Sequence, residues 1–178
     1  MNRKKIFFLI NSIGYGGAER ALCNLLSDSN LFKDMDVELV LLDDEHRARD
    51  FPNEIYIHQL EANRSLFSSL KQFHKLVKKE KPDLVVSFLV RANICNALTG
   101  IFNRNKTVLC ERMHLSSHLD NQFSGIKRSL AGFLPYFSYR FANAVVGVSG
   151  GVTSDLIENF NVPRRKAHTI FNPYDIDA

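Results

Sequence analysis

No apolar run in this chain is long enough to cross a bilayer. The longest, Ile6–Ile10 and Leu84–Val90 with Ser87 inside it, fall far short of the ~18 residues a span requires. The opening Met1-Asn2-Arg3-Lys4-Lys5 imitates a signal peptide, but the apolar run that follows stops at Asn11, and Glu19-Arg20 come next with no A-x-A cleavage pattern. It reads as a buried first strand. Cysteine is scarce: Cys23, Cys95 and Cys110 make an odd count without C-x-x-C spacing, each among apolar neighbours where a free thiol packs as a small hydrophobe. That excludes a disulfide scaffold and points to a reduced, cytoplasmic protein. Internal repeats and low-complexity tracts are missing, and no Pro/Gly/Ser linker occurs before Asn172-Pro173-Tyr174-Asp175. With 178 residues, 45% hydrophobic and 24% charged, the chain has an ordinary globular composition, which excludes disordered, coiled-coil and fibrous classes. A single domain is expected.

What is present is an alternation of short β-branched and aromatic runs with longer segments of helical period. Strands are expected at Lys5–Asn11, Asp36–Leu42, Ile55–His58, Leu84–Leu89, Thr107–Glu111, Ala144–Val148 and His168–Ile170. Helices are expected at Ala18–Ser27, Ser65–Glu80, Ala92–Phe102, Ile126–Phe141 and Gly151–Asn159. Lys81-Pro82-Asp83 ends the second helix, because proline cannot continue it. The pattern specifies an α/β fold, a doubly wound, mainly parallel, Rossmann-like sheet in one three-layer domain. In such sheets ligands lie beyond the carboxyl ends of the strands.

The first of those strand-end loops, Asn11-Ser12-Ile13-Gly14-Tyr15-Gly16-Gly17-Ala18-Glu19-Arg20, places glycines between a strand and a helix N-terminus, where backbone N–H groups can face an anion. It is not a Walker A loop, and Glu19 stands where the dinucleotide fingerprint requires its third glycine. Asp43 and Asp44 end the second strand, where a ribose-binding acid would sit in a nicotinamide enzyme. A purely structural alternative is that the glycines permit a tight turn while Glu19 complements the helix dipole.

Gly147-Val148-Ser149-Gly150-Gly151 matches a nucleophile elbow, yet only His168 follows, too soon after Asp155 and Glu158 for a triad built on separate loops. Ser149 reads instead as a helix cap. His114 and His118 share helical spacing but lack an accompanying Glu or Cys, so no metal is expected and the pair is placed in a mobile polar loop. Lys71, Lys75, Lys78, Lys79 and Lys81 suit the end of a helix dipole in solvent, and no nucleic-acid partner is expected. From Phe123 to Phe141, Lys127, Arg128 and Arg140 interleave with Phe133, Tyr136, Phe137, Tyr139 and Phe141. That mixture suits a membrane interface. The competing expectation is a long helix that buries its aromatics on the sheet while the cations reach outward. A net charge of +4 suits an anionic partner without choosing among phosphate, lipid and nucleic acid.

Gly16-Gly17-Ala18-Glu19-Arg20 after the first strand, Lys81-Pro82-Asp83-Leu84-Val85-Val86-Ser87-Phe88, and Val145-Val146-Gly147-Val148-Ser149 running on to Phe171-Asn172-Pro173-Tyr174-Asp175 occur in this order. Together they resemble the amino-terminal half of a retaining GT-B glycosyltransferase of the family 4 (group 1) type. The resemblance implies an acceptor-side domain over residues 1–171. Residues 172–178 would begin a crossover to a second, donor-binding domain that this chain does not include, and the fragment alone would be inactive.

It further implies a nucleotide-sugar donor, a saccharide or lipid-linked saccharide acceptor, no cofactor, no metal, and a cytoplasmic enzyme, peripheral on the inner face of the membrane. Gly16 and Gly17 match the glycines that approach the donor phosphates. Arg112 stands where many relatives carry a His that contacts the transferred sugar, and is the catalytic candidate. Glu19, Arg91, Asn93, Glu111, His114 and Ser149 are the acceptor-binding or cleft-facing candidates, and Asn172 with Asp175 matches the interdomain turn. A nicotinamide-dependent oxidoreductase and a non-catalytic phosphate- or nucleotide-binding module are the alternatives from other classes.

Overall fold

Five consecutive apolar residues can all be buried only in a strand covered on both faces. Ile6–Ile10 form the heart of such a strand, β1 (Lys4–Ile10), in which Phe7, Leu9 and Ile10 have no exposed surface. The computed structural model describes residues 3–43 and 51–172. Along the chain, α1 (Gly17–Ser27), β2 (Met35–Leu41), β3 (Tyr56–Gln59) and α2 (Leu66–Glu80) follow β1. They are succeeded by β4 (Leu84–Phe88), α3 (Val90–Phe102), β5 (Lys106–Glu111), α4 (Leu115–Gln122), α5 (Gly125–Ser138), β6 (Ala144–Gly147), α6 (Gly150–Asn159) and β7 (Ala167–Thr169).

The strands form one seven-stranded sheet in the order β3-β2-β1-β4-β5-β6-β7, every pair parallel. The chain first builds outward from β1 to β3 and then returns to lay β4 on the other side, so the switch in strand order lies between β1 and β4. Phe8 stands opposite Val86, Phe88 opposite Cys110, and Glu111 opposite Gly147, which brings the strand ends to one edge.

Alternation along the strands divides the core. Phe7, Leu9, Val40, Leu42 and Val85 meet Phe73 and Val77 of α2 and Ala92 and Cys95 of α3. Farther along the same face, Leu109 and Val145 meet side chains of α3, α4 and α6. Ile6, Phe8, Ile10, Leu39, Leu41 and Phe88 point the other way, onto Leu22, Cys23 and Leu26 of α1. Cys23, Cys95 and Cys110 are all buried and unbridged. Burial pushes the Cys95 and Cys110 thiols up to about 12, so neither is a thiolate at neutral pH.

Helix ends follow local chemistry. Ser65 accepts a hydrogen bond from the Ser68 N–H at the start of α2, and at its end Lys81 turns left-handed (φ 50°) and returns its N–H to Val77 O at 2.8 Å before Pro82. Ser149 accepts from the Val152 N–H at 3.3 Å to start α6.

α3 carries two asparagines, Asn93 and Asn96, where no water reaches, and the side-chain amide N–H groups of both are bonded to the sheet. The Ser87 hydroxyl donates to Asn93 Oδ1 (2.8 Å), and Asn93 Nδ2 donates to Cys110 O (3.1 Å) and Glu111 Oε2 (3.3 Å). Asn96 Nδ2 lies within 3.2 Å of Val85 O, Ser87 Oγ and Val108 O. The Tyr139 hydroxyl donates to Glu111 Oε2 at 2.8 Å, and the Arg112 N–H to Glu111 Oε1 at 3.3 Å. A buried donor left without an acceptor costs roughly 1–3 kcal/mol, so these bonds specify where α3 sits on β4 and β5.

Three expectations are corrected. The His114–His118 stretch is not a loop: α4 runs Leu115–Gln122 and buries Leu115 and Leu119 one turn apart. Its two apolar positions in eight residues, with no Ser, Thr, Asp or Asn before them, carry too little periodic signal. The helix expected to reach Phe141 ends at Ser138 and continues as a 3-10 turn, Tyr139–Phe141. Its aromatics do not pack on the sheet: Tyr139 alone is buried, whereas Phe133, Tyr136, Phe137 and Phe141 are exposed. The remaining boundaries agree with expectation to within about two residues.

Burial drives the Glu111 carboxyl up, and the Asp155 charge adds to that, while Tyr139, the Arg112 N–H and Asn93 oppose it. The outcome is about 7 against an ordinary 4.5. A raised carboxyl contributes stability that is present below pH 4.5 and lost as pH rises through 7. That gap corresponds to about 3 kcal/mol. Urea unfolding from pH 4.5 to 8 should therefore show Glu111→Gln gaining on the wild type by roughly that amount as pH rises. A pH-independent difference would contradict the assignment.

Candidate functional site

Because every strand is parallel, the segments that follow β1, β2, β4, β5, β6 and β7 all emerge at the carboxyl edge, and most of the sequence-derived candidates lie there. Gly16 and Gly17 open α1, whose first turn has no side-chain cap. Gly16 has an ordinary backbone (φ −67°), so its small size, not its flexibility, matters: a Cβ there would lie 2.3 Å from Glu19 Oε2. The Glu19 carboxylate folds back over Gly16, where it complements the positive end of α1. Gly17 has nothing within 4 Å of its Cβ position and leaves the helix start open.

Asp43, just past β2, is nearly buried and carries a two-pronged ion pair with Arg91 of α3, with Nη1 3.3 Å from Oδ1 and Nη2 on Oδ2. The Arg64 N–H also donates to Oδ1 at 2.8 Å. Burial pushes the Asp43 carboxyl up, but Arg91 and the Arg64 N–H outweigh it and hold it below the usual range. A carboxylate so engaged is not presented to a ribose. Asp44, the other ribose candidate, lies outside the described residues. Arg91 thus spans the switch between the two halves of the sheet. Close by, Leu89 adopts φ 74° at the turn from β4 into α3, a conformation that non-glycine residues seldom take.

Glu111 and Asn93 have no exposed surface and form the floor beneath this edge. Arg112, the next residue, is half-buried, with its guanidinium 5.7 Å from the centroid of the Phe88 ring. His114 is exposed at the start of α4. Its Nδ1 lies 3.0 Å from Ser117 Oγ, 3.2 Å from Ser116 Oγ and 3.5 Å from Oδ2 of the buried Asp155. Burial raises Asp155, yet hydrogen bonds from Ser116 and Asn159 and the neighbouring His114 bring its carboxyl below normal.

The Ser149 hydroxyl is occupied as the α6 cap, and a Cβ on Gly147 would come within 2.6 Å of Thr153 Oγ1. The elbow-like glycine is there because β6 and α6 approach closely. Asn172 is half-buried with Oδ1 unbonded among the described residues, and Asp175 lies outside them.

Arg91, Arg112, His114 and the glycine loop therefore share one edge, Asn93 and Glu111 brace it from below, and Ser149 caps a helix. Cationic guanidinium groups and an open helix start suit the recognition of phosphates and sugar hydroxyls. The Asp43–Arg91 pair, 48 residues apart, and the Asp155 cluster beneath α4 have no local sequence signature. Among the described residues, no group of three His, Cys, Asp or Glu side chains is placed to hold a metal ion, and no helix is long and apolar enough to cross a membrane.

Comparison with known proteins places this architecture. The chain is 28% identical over 186 residues to the N-acetylgalactosamine-N,N'-diacetylbacillosaminyl-diphospho-undecaprenol 4-alpha-N-acetylgalactosaminyltransferase of Campylobacter jejuni, covering 98% of this chain and 49% of that protein. Among solved structures, the apo lipopolysaccharide outer core galactosyltransferase WaaB superposes with a TM-score of 0.70 at 16% identity over 98% of this chain and 47% of its own. HepE of Anabaena in complex with UDP superposes with a TM-score of 0.68 at 22% identity over 97% and 45%. The chain spans about half the length of these relatives, and at such identities the structures establish the fold alone. The sequence pattern of Glycosyltransferase Family 4 matches residues 15–178. With that match covering nearly all of its length, the chain belongs to Glycosyltransferase Family 4.

Proposed function

We propose that this chain provides the acceptor-side half of a retaining hexosyltransferase. The enzyme would move a sugar from a nucleotide-sugar to a saccharide or lipid-linked saccharide in cell-surface glycan synthesis. The observation that carries this reading is the 28% identity, across 98% of the chain, to a transferase whose name specifies a diphospho-undecaprenol-linked substrate. The edge at the ends of β1, β4 and β5 agrees with it. Gly17 leaves backbone N–H groups accessible for the donor diphosphate, Glu19 lies over Gly16 and must yield as the phosphates arrive, and Arg112 meets the transferred sugar or its phosphate. The brace formed by Asn93 and Glu111 holds Arg112 in place. Sugar transfer also needs charge stabilisation at the departing diphosphate, more than one glycine loop supplies. The chain alone therefore binds without turning over. No cofactor or metal enters the reading.

The exposed stripe on α5 supports a cytoplasmic enzyme held peripherally to the inner membrane face. Ile126, Leu130, Phe133 and Phe137 recur at intervals of four, three and four residues, continue to Phe141, and are all exposed. Lys127 is exposed beside them, and Arg140 lies 5.3 Å from the Phe141 ring centroid. Arg128, by contrast, is engaged by Asp120 at 2.7 Å.

Two outcomes test the reading. In the enzyme carrying its donor-binding half, Arg112→Ala should lower turnover at least ~100-fold with an unchanged melting temperature, the size of effect expected on losing an electrostatic contact made in the transition state. Gly17→Val, which the open space at that position accommodates, should raise KM for the nucleotide-sugar about tenfold. Wild-type kinetics in both would remove these residues from the site. For the membrane, co-sedimentation should show the chain with phosphatidylglycerol vesicles at low salt and not with phosphatidylcholine. Each basic residue near the surface contributes about 1 kcal/mol, so Lys127→Glu and Arg140→Glu should each release it. Equal recovery from both vesicle types would reject attachment through this stripe.

A further inference from the structure

The opposite edge of the sheet holds a second concavity that the transfer reading does not use. At the amino ends of β1, β4 and β5 an open cavity of about 860 Å³ has Ile6, Val77 and Leu84 in its walls and Lys78, Lys81, Arg104 and Lys106 around it. All four cations are exposed, and none makes an ion pair with a carboxylate among the described residues. The one acid in the lining, Asp83, is committed to Lys4 (3.0 Å) and to the Lys5 N–H (2.9 Å). Like charges gathered without a counter-ion repel one another, and an anion relieves that repulsion.

The cavity does not end there. A groove of about 580 Å³ between α2 and α3 adjoins it and shares Lys78, Phe102 and Asn103 with it. Its walls are Phe67, Leu70, Leu98 and Phe102, with Lys71 at the side. Phe67 and Phe102 are 79% and 77% exposed, an unusual state for two phenylalanines that border one groove. His74 meets the Phe102 ring edge-on and lies 3.5 Å from Asn103 Nδ2, which organises the junction of the two limbs.

The two limbs segregate polarity, cations at one end and hydrocarbon at the other, and each has the size of an ordinary small-molecule site. We propose that this bent cavity binds one anionic amphiphile, its phosphate-type head among Lys78, Lys81, Arg104 and Lys106 and its hydrocarbon tail between α2 and α3. The site is remote from the carboxyl edge and separate from the α5 stripe, so it stands or falls independently of the transfer reading. A nucleic acid fits less well, since the cations cluster at one end instead of following a track of evenly spaced phosphates.

Calorimetric titration of the 178-residue chain with dodecyl phosphate, below its micelle concentration, tests the proposal. Saturable one-to-one binding is expected, with dodecyl maltoside and inorganic phosphate each at least tenfold weaker, because each offers only one limb its partner. The exposed-site variants Lys78→Ala/Arg104→Ala and Phe102→Ala should each weaken dodecyl phosphate at least tenfold with an unchanged circular dichroism spectrum. Phe133→Ser on α5 should leave it unchanged. Absent or non-saturating binding, equal affinity for the maltoside, or a loss in Phe133→Ser matching that in the cavity variants would overturn the proposal.

Discussion

Two asparagines sealed from water determine where the principal helix of this domain sits. The side-chain amide N–H groups of Asn93 and Asn96 are costly to leave unbonded inside the core, and the acceptors that satisfy them are the carbonyls of Val85, Val108 and Cys110 and the side chains of Ser87 and Glu111. α3 is therefore pinned across β4 and β5 in one register. An apolar helix face would tolerate sliding; this one does not. Because Arg91 leads into the same helix and Arg112 follows Glu111, both cations of the carboxyl edge inherit their positions from that buried brace. The ion pair of Arg91 with Asp43 then extends the tie to β2, across the point where strand order switches.

The two edges of the sheet differ in their electrostatics. At the carboxyl edge the acids have partners: Glu19 lies against the α1 N-terminus, Asp43 against Arg91, and Asp155 against the Ser116 N–H with His114 close by. Such a surface is organised to exchange partners with an incoming charged substrate at little cost in reorganisation. At the amino edge Lys78, Lys81, Arg104 and Lys106 make no ion pair among the described residues, and beside them α2 and α3 part to expose phenylalanine. Paired charge suits turnover, whereas unpaired charge over apolar surface suits retention of a ligand.

Much of this was legible before any coordinates. Apolar runs such as Ile6–Ile10 and Leu84–Phe88 read as covered strands because nothing else buries consecutive large side chains, and Pro82 and Ser149 marked their turns through chemistry local to a few residues. The glycine loop declared its place between strand and helix, though not that Gly16 would be filled by its own neighbour, Glu19. What stayed hidden depends on contacts distant in sequence. Tyr139 reaches Glu111 across 28 residues, and Arg91 reaches Asp43 across 48. Helix α4 shows its amphipathicity in only Leu115 and Leu119, held by Asp155 from another helix. The α5 aromatics left two readings open in the sequence, a membrane interface and a face packed on the sheet, because their spacing is also that of a core-facing helix. The difference lies in what packs beside them: Gly132, Pro135 and Ser138 face inward instead.

The central claim is that substrate meets this domain at the carboxyl ends of its strands, around Gly17 and Arg112. Amide NMR of the isotopically labelled chain, titrated with UDP-N-acetylgalactosamine, addresses it residue by residue. The account predicts the largest shift changes at Gly16, Gly17, Ala18, Arg112 and His114, exceeding any at Lys81, Asp83 and Lys106 at the far edge. Changes confined to the far edge, or saturation without any response at Gly17 and Arg112, would contradict it.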